Sequence, residues 1–366
     1  MPRIVFALTV PVSLGLYGRV LPLLRNRGWD VHVVTGGDEG SIDRYPSVAY
    51  HHVAFGRRIS PLRDVISLVR LLRLFVRLRP DIVVAATPKA SLLALLAARA
   101  ARVKHRVFHV WGCRWDAGAG LRATVLRYAD RVACLCASTV VPVSRSLGEL
   151  LVQHRLVKSF DLIESGGTKG VDLEAFSPSG PRMEFEGSPV VGFVGRVARD
   201  KGAGNLPELA VTLRRSFPRV QLVVVGELDT ADPLEESEVE SLRRDPSIRL
   251  LGQVRDVAGA MRAMDLLCFP SIREGLPNAV MEASACGVPT VAWDATGTRD
   301  AVVDGVTGIL IPPGDISDMS QALISLLADD SLRRAMGDAA REHVSRNWEA
   351  NRVQHGFIRY LEEACR

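Results

Sequence analysis

The chain has 366 residues, 47% of them apolar, with six cysteines and a net charge of +5. That length suits two domains, and the apolar share is ample for two cores. No apolar run approaches the ~20 residues of a membrane-spanning helix, and no cysteines are paired at metal-ligand spacing. A helical integral membrane protein and a cysteine-ligated metal module are therefore excluded as classes. Several cysteines sit in apolar runs, as small buried hydrophobes do, so a reducing, cytoplasmic setting is expected. The net charge hides a polarity: residues 1–180 carry 25 Lys and Arg against 13 Asp and Glu, and residues 181–366 carry 21 against 28. A basic half joined to an acidic half suggests one face that meets something anionic.

In chain order, 3–10 reads as a strand ending at Pro11, followed by a loop, a helix over 16–27 stopped by Gly28, and a strand over 30–35. This βαβ opening predicts a parallel sheet. The start is apolar but lacks a small-residue cleavage site, so export is not expected. Residues 62–79 form an amphipathic helix with Arg63, Arg70, Arg73 and Arg77 on one face and leucine and valine on the other. Such a face can lie on an anionic membrane, receive a diphosphate-bearing acceptor, or be a plain solvated surface. Strand 81–86, helix 91–101 and strand 106–110 follow, the last leading into His109, Val110, Trp111 and Gly112. A lone histidine there is more often a packed core group than a ligand. Residues 177–189, rich in proline and glycine, read as the linker.

The second half opens with a strand over 189–194, then Gly195, Arg196 and, five residues on, Lys201 and Gly202. Arg196 can fork onto two phosphate oxygens and Lys201 adds a point charge across the same loop. Two surface cations would be the bland alternative. Strands are expected at 221–226 and 249–252, with Asp256 capping the helix after the latter. The stretch 265–289 then reads as strand 266–269, a loop with Arg273, Glu274 and Gly275, Pro277 in the first helical turn, helix 278–285, Gly287 as the stop, and strand 288–292. Helix amide groups there favour a phosphate. Glu274 and Glu282 would repel one but can grip sugar hydroxyls, so the site is expected to hold sugars on either side of a phosphate.

The segment PSIREGLPNAVMEASACGVPTVA resembles the sugar-nucleotide signature of the retaining GT-B glycosyltransferases of glycosyltransferase family four. The glycine-arginine-four-residues-lysine-glycine pattern at 195–202 is similar to that family, as are GQVRD (252–256) and ESGGTKGVDLEAFSP (164–178), where Lys169 replaces an asparagine. The resemblance implies an α/β fold of two doubly wound, Rossmann-like domains facing across a cleft: 1–180 on the acceptor side, 181–347 binding the nucleotide sugar, and 348–366 as a helix packing back on the first. It implies that the first loop faces the donor phosphate, making Gly15 a candidate for close backbone approach, and that His109 lies against the donor sugar. It also implies that the base is received near Val254, that Glu282 holds the ribose, and that backbone groups of Gly275, Leu276, Pro277 and Asn278 hold sugar and phosphate. Arg196, Lys201 and Glu274 would serve the chemistry. The family often carries an arginine where this chain has Trp111. Trp111 and Trp115 can offer aromatic faces to a sugar or an aglycone.

The expected activity is retaining transfer from a nucleotide diphosphate sugar, UDP-linked, to a lipid-linked or other glycan acceptor in cell-surface polysaccharide synthesis. No metal or cofactor is expected, since the chain has no Asp-any-Asp triplet, and nucleic acid is not an expected partner. A soluble natural-product aglycone as acceptor, a nucleotide-sugar epimerase and a catalytically silent sugar-nucleotide-binding protein are the alternatives.

Overall fold

The computed structural model describes residues 1–37, 48–56, 60–116, 118 and 120–365. The chain divides into two compact units: residues 1–170 with 350–366, and residues 171–349.

The first unit is built from β1 (Arg3–Leu8), α1 (Val20–Asn26), β2 (Asp30–Thr35), β3 (Ala49–His52), α2 (Pro61–Leu78), β4 (Ile82–Ala85), α3 (Pro88–Ala100), β5 (His105–Val110), α4 (Gly120–Cys136), β6 (Thr139–Pro142) and α5 (Arg145–Gln153). All strand pairs run parallel, in the order β3-β2-β1-β4-β5-β6. Helices cover the sheet, so β4 and, after Arg3, β1 are apolar and buried. The expected helix at 16–27 is split: Pro11–Tyr17 forms a 3-10 turn, Gly18 takes a positive φ, and α1 begins at Val20.

The second unit contains β7 (Val190–Val194), α6 (Leu206–Ser216), β8 (Gln221–Val225), α7 (Glu236–Arg244), β9 (Ile248–Gly252), α8 (Val257–Arg262), β10 (Leu266–Phe269), α9 (Asn278–Ala285), β11 (Thr290–Trp293), α10 (Thr298–Ala301), β12 (Gly308–Ile311), α11 (Ile316–Ala328) and α12 (Asp330–Trp348). Its parallel sheet runs β12-β11-β10-β7-β8-β9. Counted from its own first strand, this is the same doubly wound order as in the first unit. Asp256 caps α8, its carboxylate accepting from Gly259 N–H at 2.7 Å.

The last helix, α13 (Ala350–Ala364), belongs to the first unit. Its Gln354 accepts from the Arg19 N–H at 3.0 Å and donates to the Lys169 carbonyl at 2.7 Å, and its Glu362 pairs with Arg27.

The stretch 177–189 is not a free linker, and the units divide at Gly170 and Val171 rather than at 180. The buried Arg262 guanidinium donates to the carbonyls of Pro181 (2.7 Å) and Ala175 (3.2 Å), and Met183 N–H donates to Gly259 O (3.0 Å). A buried guanidinium must fill its donors, and these otherwise irregular backbone carbonyls do so.

Candidate active site

In an open parallel sheet, ligands bind at the carboxyl ends of the strands, where the strand order reverses. In the second unit that point lies between β7 and β10. The loop after β7 carries Gly195 to Gly202, and the loop after β10 carries Pro270 to Pro277.

Two glycines let the loop after β10 pack closely, Gly202 from the loop after β7 and Gly297 from the loop after β11. Gly202 adopts φ +68°, and a Cβ there would collide with the Pro270 carbonyl. Gly297, at φ +79° before α10, leaves no room for a Cβ against the Gly275 carbonyl either. An L side chain at either position would meet both strain and a backbone clash. The Asp200 carbonyl adds a stitch, accepting from Ile272 N–H (3.1 Å) and the Ser271 hydroxyl (3.2 Å).

Side chains then converge. Lys201 Nζ donates to Glu274 Oε1 at 2.5 Å, both side chains being largely buried. Arg196 is half exposed and gripped on two sides, by Asp229 through Nη1 and by Asp200 through Nη2 at 3.2 Å. Asp200, itself 8% exposed, also receives Arg273 Nη2 at 2.7 Å. Burial opposes the charge on Arg196, but the paired carboxylates outweigh it and raise its pKa. Burial likewise raises that of Asp229, but the hydrogen bond from Arg196 and the N–H groups of Ala231 and Asp232 prevail and hold it below the usual carboxylate range. Asp229, Arg196, Asp200 and Arg273 thus form one chain of contacts, and Lys201 with Glu274 forms a second pair joining the same two loops.

Beside them, α9 starts at Asn278 with Pro277 as its cap residue and no side chain capping it. Its first amide groups have no partner inside the helix, and together with the dipole they form a site suited to an anion. Glu282 lies one turn further along this helix. Val254 lies in the loop after β9, the edge strand two places from β7.

The remaining expected residues belong to the first unit. Gly15 lies in the 3-10 turn after β1, where a Cβ would meet nothing within 4 Å, so nothing inside the unit demands a glycine. His109 lies in β5 and is 2% exposed. It stacks on Phe357 with 4.9 Å between centroids, meets Trp111 edge-on, and places Nδ1 3.3 Å from the Tyr17 hydroxyl. Burial lowers its pKa to about 3, so the ring is neutral at physiological pH. Trp115 offers no open face: it is buried, with Nε1 donating to Asp130 at 2.7 Å.

Asp200 and Asp229 were not among the residues the sequence singled out, and Arg273 was placed in its loop without a role. The signal for Asp200 was present, an acid between Arg199 and Lys201 in a cationic loop. Asp229 follows another strand, and nothing local ties it to Arg196. Among the described residues, no three His, Cys, Asp or Glu side chains gather to hold a metal ion. The cysteines are free, and burial pushes the Cys268 thiol up to about 12, which makes it a packing group rather than a nucleophile.

Two parallel sheets of identical order in one chain define the two-domain GT-B class of fold, and a solved structure agrees. Sucrose-phosphate synthase from Thermosynechococcus elongatus superposes with a TM-score of 0.81 at 19% identity, covering 99% of both chains. Two family models match, "Glycosyl transferase 4-like domain" over residues 18–159 and "Glycosyl transferases group 1" over 181–343. The chain belongs to the GT-B glycosyltransferases of family four, and it is a glycosyltransferase. Among its relatives is the capsular polysaccharide biosynthesis glycosyltransferase CapM of Staphylococcus aureus, 29% identical over 356 residues, spanning 95% of this chain and 93% of that one. Another is the UDP-Gal:alpha-D-GlcNAc-diphosphoundecaprenol alpha-1,3-galactosyltransferase of Escherichia coli, 25% identical over 88% of this chain and 86% of that one.

Proposed function

We propose that this glycosyltransferase moves a sugar from a UDP-linked donor to a hydroxyl of a lipid-linked or other glycan intermediate in cell-surface polysaccharide synthesis, with retention of configuration. The observation that carries this reading is the cluster of Arg196, Lys201 and Glu274 at the β7/β10 reversal, beside the uncapped amide end of α9. The names of the two relatives supply the polysaccharide setting, and the second supplies the uridine donor and diphospholipid acceptor.

In this mechanism the bond from the anomeric carbon to the diphosphate breaks and negative charge grows on the leaving oxygen. Arg196 and Lys201 stabilise that charge as preorganised groups, at no reorganisation cost during the reaction. The N–H groups of Gly275, Leu276 and Asn278 hold sugar and phosphate, Glu274 orients the sugar ring and Lys201, Glu282 holds the ribose, and the base meets the backbone at Val254. No side chain in the cluster is set up as a covalent nucleophile. The acceptor oxygen therefore attacks on the face the phosphate leaves, and the departing phosphate takes its proton.

The acceptor reading draws on the first unit. On α2, Ser67, Leu71 and Phe75 face the core, Val65, Val69 and Val76 lie exposed in a strip, and Arg70, Arg73 and Arg77 lie exposed beside it. On α4, Leu121, Val125, Tyr128 and Leu135 form a second exposed apolar stripe at heptad spacing. Apolar strips bordered by arginines suit the surface of an anionic bilayer, where a lipid-linked acceptor resides. Among the described residues, no helix is long and apolar enough to cross a membrane.

Thermal melts with UDP-, GDP- and ADP-sugars, followed by mass analysis of acceptor mixtures, test the donor. Stabilisation by UDP-sugars above the others is expected, and preferential stabilisation by GDP-sugars would overturn the uridine assignment. Activity is expected to survive a chelator. Full loss restored by manganese would overturn metal-independent transfer.

A further inference from the structure

Resting on the reading that Arg196 meets the leaving diphosphate, we infer that Asp200 is a positioning residue for Arg196 and that Arg273 holds Asp200 in place to do so. A half-exposed arginine has several rotamers within reach, and fixing it costs entropy that must be met by contacts. Here the contacts are specific. Asp229 binds Nη1 from the β8 side, and its own carboxylate is anchored by the Ala231 and Asp232 N–H groups. Asp200 binds Nη2 through both oxygens, at 3.3 and 3.2 Å. One carboxylate alone would leave the guanidinium free to swing about a single pair. Two fix its plane.

Asp200 is suited to this by its own surroundings. It is nearly buried, its N–H donates to Asp232 at 2.9 Å, and its carbonyl holds Ser271 and Ile272. A buried carboxylate needs compensating charge, and Arg273 at 2.7 Å supplies what the longer contacts to Arg196 leave unmet. Arg273 directly precedes Glu274, the partner of Lys201. Through Asp200, the loop after β10 therefore sets the aim of an arginine in the loop after β7.

A double-mutant cycle on the full chain distinguishes this from a merely structural carboxylate. Asp200→Ala in the wild-type background is expected to lower kcat by about 10²-fold, as a misaimed charge-stabilising group does, while the donor KM moves less. In the Arg196→Ala background the same change is expected to cost less than about threefold, because the group it aims is gone. Arg273→Ala is expected to show a smaller loss that likewise vanishes when Asp200 is absent. Equal losses in both backgrounds overturn the inference and leave the functional reading standing. An Arg196→Ala enzyme as fast as wild type overturns both. Asp200→Asn keeps the shape and removes the charge, so it serves in the same cycle where Asp200→Ala does not fold.

Discussion

The two units share one strand order and differ in what they place at its reversal point. In the second unit, between β7 and β10, the loops are tied by Arg196, Asp200, Asp229, Arg273, Lys201 and Glu274. In the first, between β1 and β4, the loops meet through hydroxyls: Thr9 and Thr87 lie 2.8 Å apart, and the Thr9 N–H donates to Thr87 at 2.9 Å. Nearby, His109 is enclosed by Tyr17, Trp111 and Phe357. Topology therefore makes two equivalent ligand positions, and loop chemistry alone gives one of them dense fixed charge. Function lives in the site grafted on the fold, not in the fold itself. The first unit has its charge elsewhere, on exposed arginines of α2.

The sharpest way to break this contrast is Lys201→Ala. It leaves Glu274 unpaired and removes one of the two cations that stabilise the developing charge, so a loss of about 10²–10³ in kcat is expected. A fall below about threefold removes Lys201 from the chemistry. On the first unit, changing Arg70, Arg73 and Arg77 together to glutamate should abolish sedimentation with vesicles of phosphatidylglycerol while leaving UDP-sugar binding unaltered. Unchanged sedimentation discards the membrane role of α2. The smallest effect concerns pH. His109 is neutral when folded, with its pKa lowered by burial to about 3, while the unfolded chain takes up a proton near pH 6.5. Its contribution is present above that value and is lost as pH falls toward 3, by up to about 1.4 kcal/mol per pH unit. Urea melts of His109→Phe should show a shallower loss of stability between pH 6 and 4 than the parent chain. An equal slope assigns the acid sensitivity to other groups.

Much of the second unit was legible from local pattern. Strand 266–269 and helix 278–285 have the bounds the sequence predicts, because an apolar strand, a proline and a stop glycine are signals read within a few residues. The edge strand β3, with the sequence AYHH and half exposed, carries no such signal. α4 was missed for a related reason: its most regular apolar stripe faces outward, so periodicity points away from the core that defines the helix.

The sequence by itself determined the two α/β halves, the cationic loop and the two glutamates on either side of the α9 start, since each depends on neighbours in the chain. Only tertiary structure decided that Arg196 is shared by Asp200 and Asp229, that Arg262 secures the stretch 177–189, and that His109 is enclosed. Those outcomes depend on which strands lie side by side, and a carboxylate 33 residues away becomes a partner only once β7 and β8 have paired.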